Sequence, residues 1–159
     1  MADQRYLTKE GYDRFSKEHD QLWNVERRKV VAEVQAAAAQ GDRSENAEYI
    51  YGKKRLREID RRLEYLEKLL REAVVVSPAA DRPTDRAFFG AFVTVEDEEG
   101  SRSTYQLVGP DEVDASRGRI SIESPLGKAL LGKRPFDVVL VRRPKGDTEL
   151  TVRAVAGQR

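Results

Sequence analysis

At 159 residues the chain is long enough for one ordinary domain or two small ones, and with 39% hydrophobic and 36% charged residues it carries more charge than a compact globule needs. A net charge of +1 gives no bulk signal for nucleic acid, the absence of cysteine excludes disulfides, thiolate metal sites and a cysteine nucleophile, and the single histidine, His19, cannot form a histidine metal cluster. No apolar run approaches the ~20 residues that span a bilayer, and Met1-Ala2-Asp3-Gln4 lacks the basic and apolar regions of a secretory signal, so a cytoplasmic protein without a membrane partner is expected.

Up to about Val76 the chain has no proline and is rich in Ala, Glu, Lys, Arg and Leu. Thr8 follows Leu7 as an N-cap, and Tyr12, Phe15, His19 and Leu22 recur at helical spacing. This stripe weakens through Glu26 and Lys29 and partly resumes at Val30, Val34 and Ala37. In a second helix Leu56, Ile59, Leu63, Leu66 and Leu70 alternate spacings of three and four, extended by Gly52 upstream and Ala73 downstream. A narrow apolar stripe must be buried on a partner, and the short connection between the two helices makes them antiparallel neighbours. Arms of about 33 residues predict a rod of roughly 50 Å.

Ser77 to Asp85 is polar and turn-prone and reads as a linker. The rest reads as strands over Phe88 to Val95, Ser103 to Val108, Arg119 to Ile122, Asp137 to Val141 and Glu149 to Val155. Ser124 to Leu131 reads as one short helix, with Ser124 at the N-cap and Pro125 in its first turn. The expected fold is α+β: an antiparallel helical hairpin over residues 1–76, a linker over 77–86, and a small antiparallel sheet with one helix over 87–159. His19 and Trp23 are expected to pack as part of the first helix's apolar seam, and Phe88, Phe89, Phe92 and Tyr105 as the sheet's core.

The connection between the helices carries the chemistry: Gly41-Asp42-Arg43-Ser44-Glu45-Asn46-Ala47-Glu48-Tyr49. Asp42 with Glu45 three residues on has the pattern of a capping box, and acids suit the positive end of a helix dipole. The same two carboxylates could instead ligate Mg²⁺, which wants about six oxygens, so the remaining ligands would come from a partner. Behind them, Lys53-Lys54-Arg55-Leu56-Arg57-Glu58-Ile59-Asp60-Arg61-Arg62 sets six bases against two acids. This run reads either as a solvated helix face with i,i+4 pairs or as a band that attracts a phosphate backbone. Tyr49 and Tyr51 are candidates to stack on a nucleotide, and Tyr49 equally to pack in the hairpin.

Those two stretches, together with Tyr6-Leu7-Thr8-Lys9-Glu10-Gly11-Tyr12, Phe88-Phe89-Gly90-Ala91 and Ile120 to Lys133, resemble the GreA/GreB family of bacterial transcript cleavage factors. The resemblance spans nearly the whole chain, and the Lys53 to Arg62 run is nearer the GreB pattern than the GreA one. It implies a coiled-coil hairpin and a C-terminal domain like that of FK506-binding proteins. It implies a monomer whose hairpin enters the secondary channel of RNA polymerase. There Asp42 and Glu45 would help hold a Mg²⁺ shared with the polymerase, which cleaves the 3′ end of backtracked RNA itself. The factor would be no enzyme and have no cofactor of its own. Lys53, Lys54, Arg57 and Arg61 would contact RNA, and Glu123, Ser124 and Pro125 would dock on the polymerase. The chain departs from the family pattern at Phe136, where glycine is usual, which suggests a changed turn, and at Glu123, where aspartate is frequent.

Three rivals remain on sequence alone. A protein of the same fold could enter the channel and inhibit the polymerase without cleavage. The sheet half could be a peptidyl-prolyl isomerase, which needs an aromatic-lined pocket. The hairpin could be a plain nucleic-acid-binding adaptor, for which the acids would not matter.

Overall fold

A computed structural model describes residues 5–41, 46–77 and 82–158, and the chain divides into two compact units. One is residues 12–73; the other joins the chain's start, through Gly11, to the segment from Val74 onward.

The first unit is a helical hairpin. Helix α1 (Lys9–Gln21) runs through a single π turn (Leu22–Glu26) into α2 (Arg27–Ala38), and α3 (Ala47–Glu72) returns beside them. Antiparallel packing is evident in the cross-pairs, in which Glu18 meets Arg62, Glu26 meets Arg55, and Val34 lies against Gly52. The π turn explains the weak stretch of the first stripe. Phe15, Leu22, Val30 and Ala37 are buried, at intervals of seven, eight and seven. A π turn takes one extra residue per hydrogen-bonded ring. The stripe therefore steps over Lys29 and resumes at Val30. On α3, Gly52, Ile59, Leu63, Leu66 and Leu69 are buried, and Leu56 and Leu70 only partly so. The stripe thus broadens in its last turns, with Leu69 fully buried where the spacing rule gives Leu70.

Helix α3 stops at Glu72, where Ala73 takes an extended ψ of 139°. The valines after it are β-branched and favour strand over helix. They form β2 (Ala73–Val75), which pairs with β1 (Arg5–Leu7) in a two-stranded sheet closed by Val76 N–H donating to the Leu7 carbonyl at 2.9 Å. Neither strand is foreseen from the sequence, which continues the helix to Val76.

The second unit's main sheet has β3 (Phe92–Glu96), β4 (Arg102–Val108), β5 (Arg119–Ser121), β6 (Val138–Val141) and β7 (Thr148–Ala156) in the order β5-β4-β3-β7-β6. It is antiparallel except for the β4/β5 pair, which is parallel. Helix α4 (Pro125–Leu130) adds Leu130 to a core built by Val93, Val95, Leu107, Val139, Val141, Leu150 and Val152. Alternation places Val139 and Val141 inward on β6 and leaves Val138 and Leu140 exposed. The fold is α+β, as expected. Residues 88–91 are not strand: Phe88 and Ala91 are buried in the turn that precedes β3. Phe89 meets the Tyr6 ring at 6.2 Å. No helix among the described residues is long and apolar enough to cross a membrane.

The start of α1 is closed by a carboxylate from far along the chain. Thr8 Oγ1 accepts from Gly11 N–H at 3.0 Å, which makes Thr8 the cap the sequence suggests. Thr8 in turn donates from its backbone N–H to Glu112 at 2.8 Å and from its hydroxyl at 2.6 Å. Glu112 is 4% exposed. Gly11 makes room for it, since a Cβ there would fall 2.0 Å from Glu112 Oε1.

Candidate nucleic-acid interface at the hairpin tip

Helix α2 closes at Ala39, and Gly41 takes a φ of +120°, open to glycine and strained for other residues. Asp42 and Glu45, the candidate metal ligands, lie outside the described residues. The next residue, Asn46, is the N-cap of α3, and its side chain accepts from Tyr49 N–H at 3.1 Å. Its amide nitrogen donates to the Ala37 carbonyl at 2.8 Å. One side chain thereby satisfies an orphan donor at the start of α3 and adds a second donor to the Ala37 carbonyl, which already accepts from Gln40 N–H at 3.2 Å. The capping-box reading, with Asp42 as the cap, is corrected: helix α3 begins four residues later than that reading needs. Just behind the clasp the helices pack closely, for a Cβ on Gly52 would lie 2.7 Å from Val34 Cγ2.

The basic run divides in two. Arg55 pairs with Glu26 across the hairpin and reaches Glu58 on its own helix at 3.5 Å. Arg62 pairs in bidentate fashion with Glu18 at 2.6 and 2.8 Å. Arg27, from the facing helix, pairs with Asp60 at 2.8 Å. Hydrogen bonds to these carboxylates hold all three guanidinium groups above their ordinary pKa. Each such surface pair contributes about 0–1 kcal/mol, so together they fix register more than they stabilise. The other four cations, Lys53, Lys54, Arg57 and Arg61, are exposed and make no ion pair among the described residues. Lys53, Arg57 and Arg61 recur every four residues and so share one face of α3. Like charges at that spacing slightly destabilise a helix, so this row does nothing for the hairpin itself.

Aromatic side chains near the tip are also set apart. Tyr51 is 72% exposed and, with Lys54, Arg55 and Glu58, lines a hollow of about 90 Å³. Tyr49 is half-buried. Trp23 is not the seam anchor expected: it is half-exposed, and the Arg27 guanidinium stands 5.5 Å from its ring. His19 sits beside the seam, partly exposed and 3.2 Å from Glu67. Trp23 follows the buried Leu22 by one residue, a step of about 100° round the helix, which leaves it beside the stripe.

In the second unit, Glu123 and Pro125 flank Ser124 at the entry to α4. The Ser124 hydroxyl is committed: it accepts from Gly127 N–H at 3.0 Å and donates to the Ser121 carbonyl at 2.6 Å. The sheet carries a concavity of about 310 Å³ lined by Phe92, Gln106, Arg117 and Arg119. Its lining holds a single aromatic ring, so this hollow lacks the aromatic walls an isomerase needs. Phe92 thus faces this concavity and is not core.

Residues 5–75 match the family model for the N-terminal part of the transcription elongation factors GreA and GreB, and residues 82–156 match the model for their C-terminal part. The chain is similar to the transcription elongation factor GreB of Yersinia pestis, 50% identical over 92% of this chain and 85% of that one. It is 52% identical to the GreB of Pseudomonas aeruginosa, over 89% of this chain and 83% of its relative. Among solved structures, the GreA factor homolog Gfh1 of Thermus thermophilus is 29% identical, covering 96% of this chain and 99% of that chain, with a TM-score of 0.46.

Proposed function

The chain belongs to the GreA/GreB family of transcription elongation factors, and from that premise we propose that it enters the secondary channel of bacterial RNA polymerase and stimulates the polymerase's own cleavage of backtracked RNA. The observation that carries this reading is the clasp at Asn46. The cap of α3 is supplied by a neutral amide, so Asp42 and Glu45 are not needed to start the helix. Two acids that the Asn46 cap does not require raise the local charge at the connection, which favours a use outside the hairpin.

Asp42 and Glu45 would hold a magnesium ion. Carboxylate oxygens are the hard donors that Mg²⁺ prefers, and two of them fall short of octahedral coordination. Among the described residues no group of three His, Asp or Glu side chains could hold a metal ion. Two carboxylates fit an ion whose other ligands the polymerase supplies. When bound, such an ion lowers the pKa of a coordinated water and neutralises charge developing on the phosphate. The chain's own contribution is to position the two carboxylates and to present Lys53, Lys54, Arg57 and Arg61 to the 3′ segment of the extruded RNA. Those cations make no ion pair among the described residues, so they can replace counterions on the phosphate backbone. Glu123 and Pro125 would dock the second unit on the polymerase, with Ser124 shaping the loop. The factor acts as a monomer in the cytoplasm, where its polymerase works.

The test is RNA shortening in stalled elongation complexes with purified polymerase. The wild-type chain is expected to accelerate shortening well above polymerase alone. Binding without added shortening would replace this reading with channel inhibition.

A further inference from the structure

A second surface, at the opposite end of the sheet order from β5, is built for a partner. Residues 134–137 form a turn in which Asp137 N–H donates to the Arg134 carbonyl at 3.1 Å, with Pro135 and Phe136 at its centre. Phe136 has a φ of +75° and is 75% exposed. This is the turn type that takes proline second and glycine third. The expectation of a changed turn at Phe136 therefore gives way to a bulky residue held in a glycine conformation, at a backbone cost and with no burial in return. Strain of that kind, kept at a surface, points toward function. Beyond the turn, Val138 (62% exposed) and Leu140 (50%) project from the outer face of β6, the terminal strand of the sheet. An edge strand with outward aliphatics and no covering strand is a template for pairing, and natural proteins normally blunt one.

Charge says what covers it. Across residues 133–149, Lys133, Arg134, Arg142, Arg143 and Lys145 stand against three acids, an excess of +2 where the whole chain carries +1. The five cations are exposed and have no ion pair among the described residues, while Asp137 is occupied with the Arg134 backbone N–H at 2.8 Å. A second copy of the chain would bring the same cations face to face. Nucleic acid would use the cations and stack on Phe136 but has no use for two branched aliphatics. We propose that the β6 edge, with Phe136, Val138 and Leu140, receives an acidic, apolar protein segment that adds to the sheet as a strand, and that this segment belongs to the polymerase. The proposal rests on the function read above and assigns the partner a contact distinct from the Glu123–Pro125 loop.

The experiment measures affinity of the full chain for purified polymerase, beside thermal unfolding and a titration with single-stranded RNA. Phe136→Gly is expected to relieve the turn and raise Tm by about 4 °C, yet weaken polymerase binding at least several-fold. Leu140→Glu, and Arg142→Glu with Arg143→Glu, are expected to weaken it about tenfold or more. If wild type binds and all these variants bind equally well, the edge is not a docking surface and the inference falls alone. If the variants lose RNA binding and keep polymerase binding, the patch belongs to nucleic acid and the inference is overturned. A wild-type chain that does not bind polymerase removes the proposed function and this partner together.

Discussion

The first helix begins, and the hairpin turns, by the same device used with opposite consequences. At Thr8 a buried carboxylate, Glu112, accepts two hydrogen bonds and is committed to closing the helix start. At the turn, a neutral amide, Asn46, bridges both helix ends. The acid that closes this helix start is buried and both its oxygens are occupied. Where acids are to serve chemistry, something else must close the helix. The difference predicts which substitutions damage stability and which damage only activity.

The largest effect belongs to Asp42 and Glu45. Asp42→Asn or Glu45→Gln should lower stimulated cleavage on the order of 100-fold, while polymerase affinity and Tm stay near wild type. A parallel loss of stability would erase the contrast with Glu112. Glu112→Ala should cost about 2 kcal/mol in denaturant unfolding, because it strands the Thr8 N–H and hydroxyl in a buried setting. Asn46→Ala should cost about 1 kcal/mol, the usual worth of a cap. If it costs nothing, the clasp does not hold the turn and the acids regain a capping role. Replacing Lys53, Arg57 and Arg61 by Gln should leave unfolding unchanged and reduce the salt slope of RNA binding by about 0.7 per cation.

The smallest effect is on acid stability. Hydrogen bonding to Arg153 holds Glu96 below the usual carboxylate range, and Ser116 does the same for Asp114. A depressed folded-state pKa adds stability that is complete above the unfolded value and is lost as pH falls through the folded one. Unfolding midpoints should therefore drop below about pH 4, and Glu96→Gln should flatten that drop.

Much of this is legible in the sequence. The α3 stripe, the strands of the second unit, Ser124 as a cap and Pro125 after it are all consequences of period and turn chemistry. So is the grouping of the exposed cations, since Lys53, Arg57 and Arg61 share a helix face by count alone. The π turn is not legible, because one inserted residue breaks the period without any residue type to announce it. Glu112 is not, because its partner lies 104 positions away. The role of Asn46 is hidden behind Asp42 and Glu45, whose spacing imitates a capping box. The mixture of parallel and antiparallel pairing at β5 is likewise set by tertiary packing and not by local pattern.

The most direct measurement is the magnesium dependence of stimulated cleavage on a backtracked complex, with wild-type chain and Asp42→Asn at saturating concentration. The account predicts that Asp42→Asn raises the magnesium concentration needed for half-maximal cleavage while its binding to polymerase is retained. An unchanged magnesium requirement, with any loss of rate explained by weaker binding or an unfolded hairpin, would contradict it.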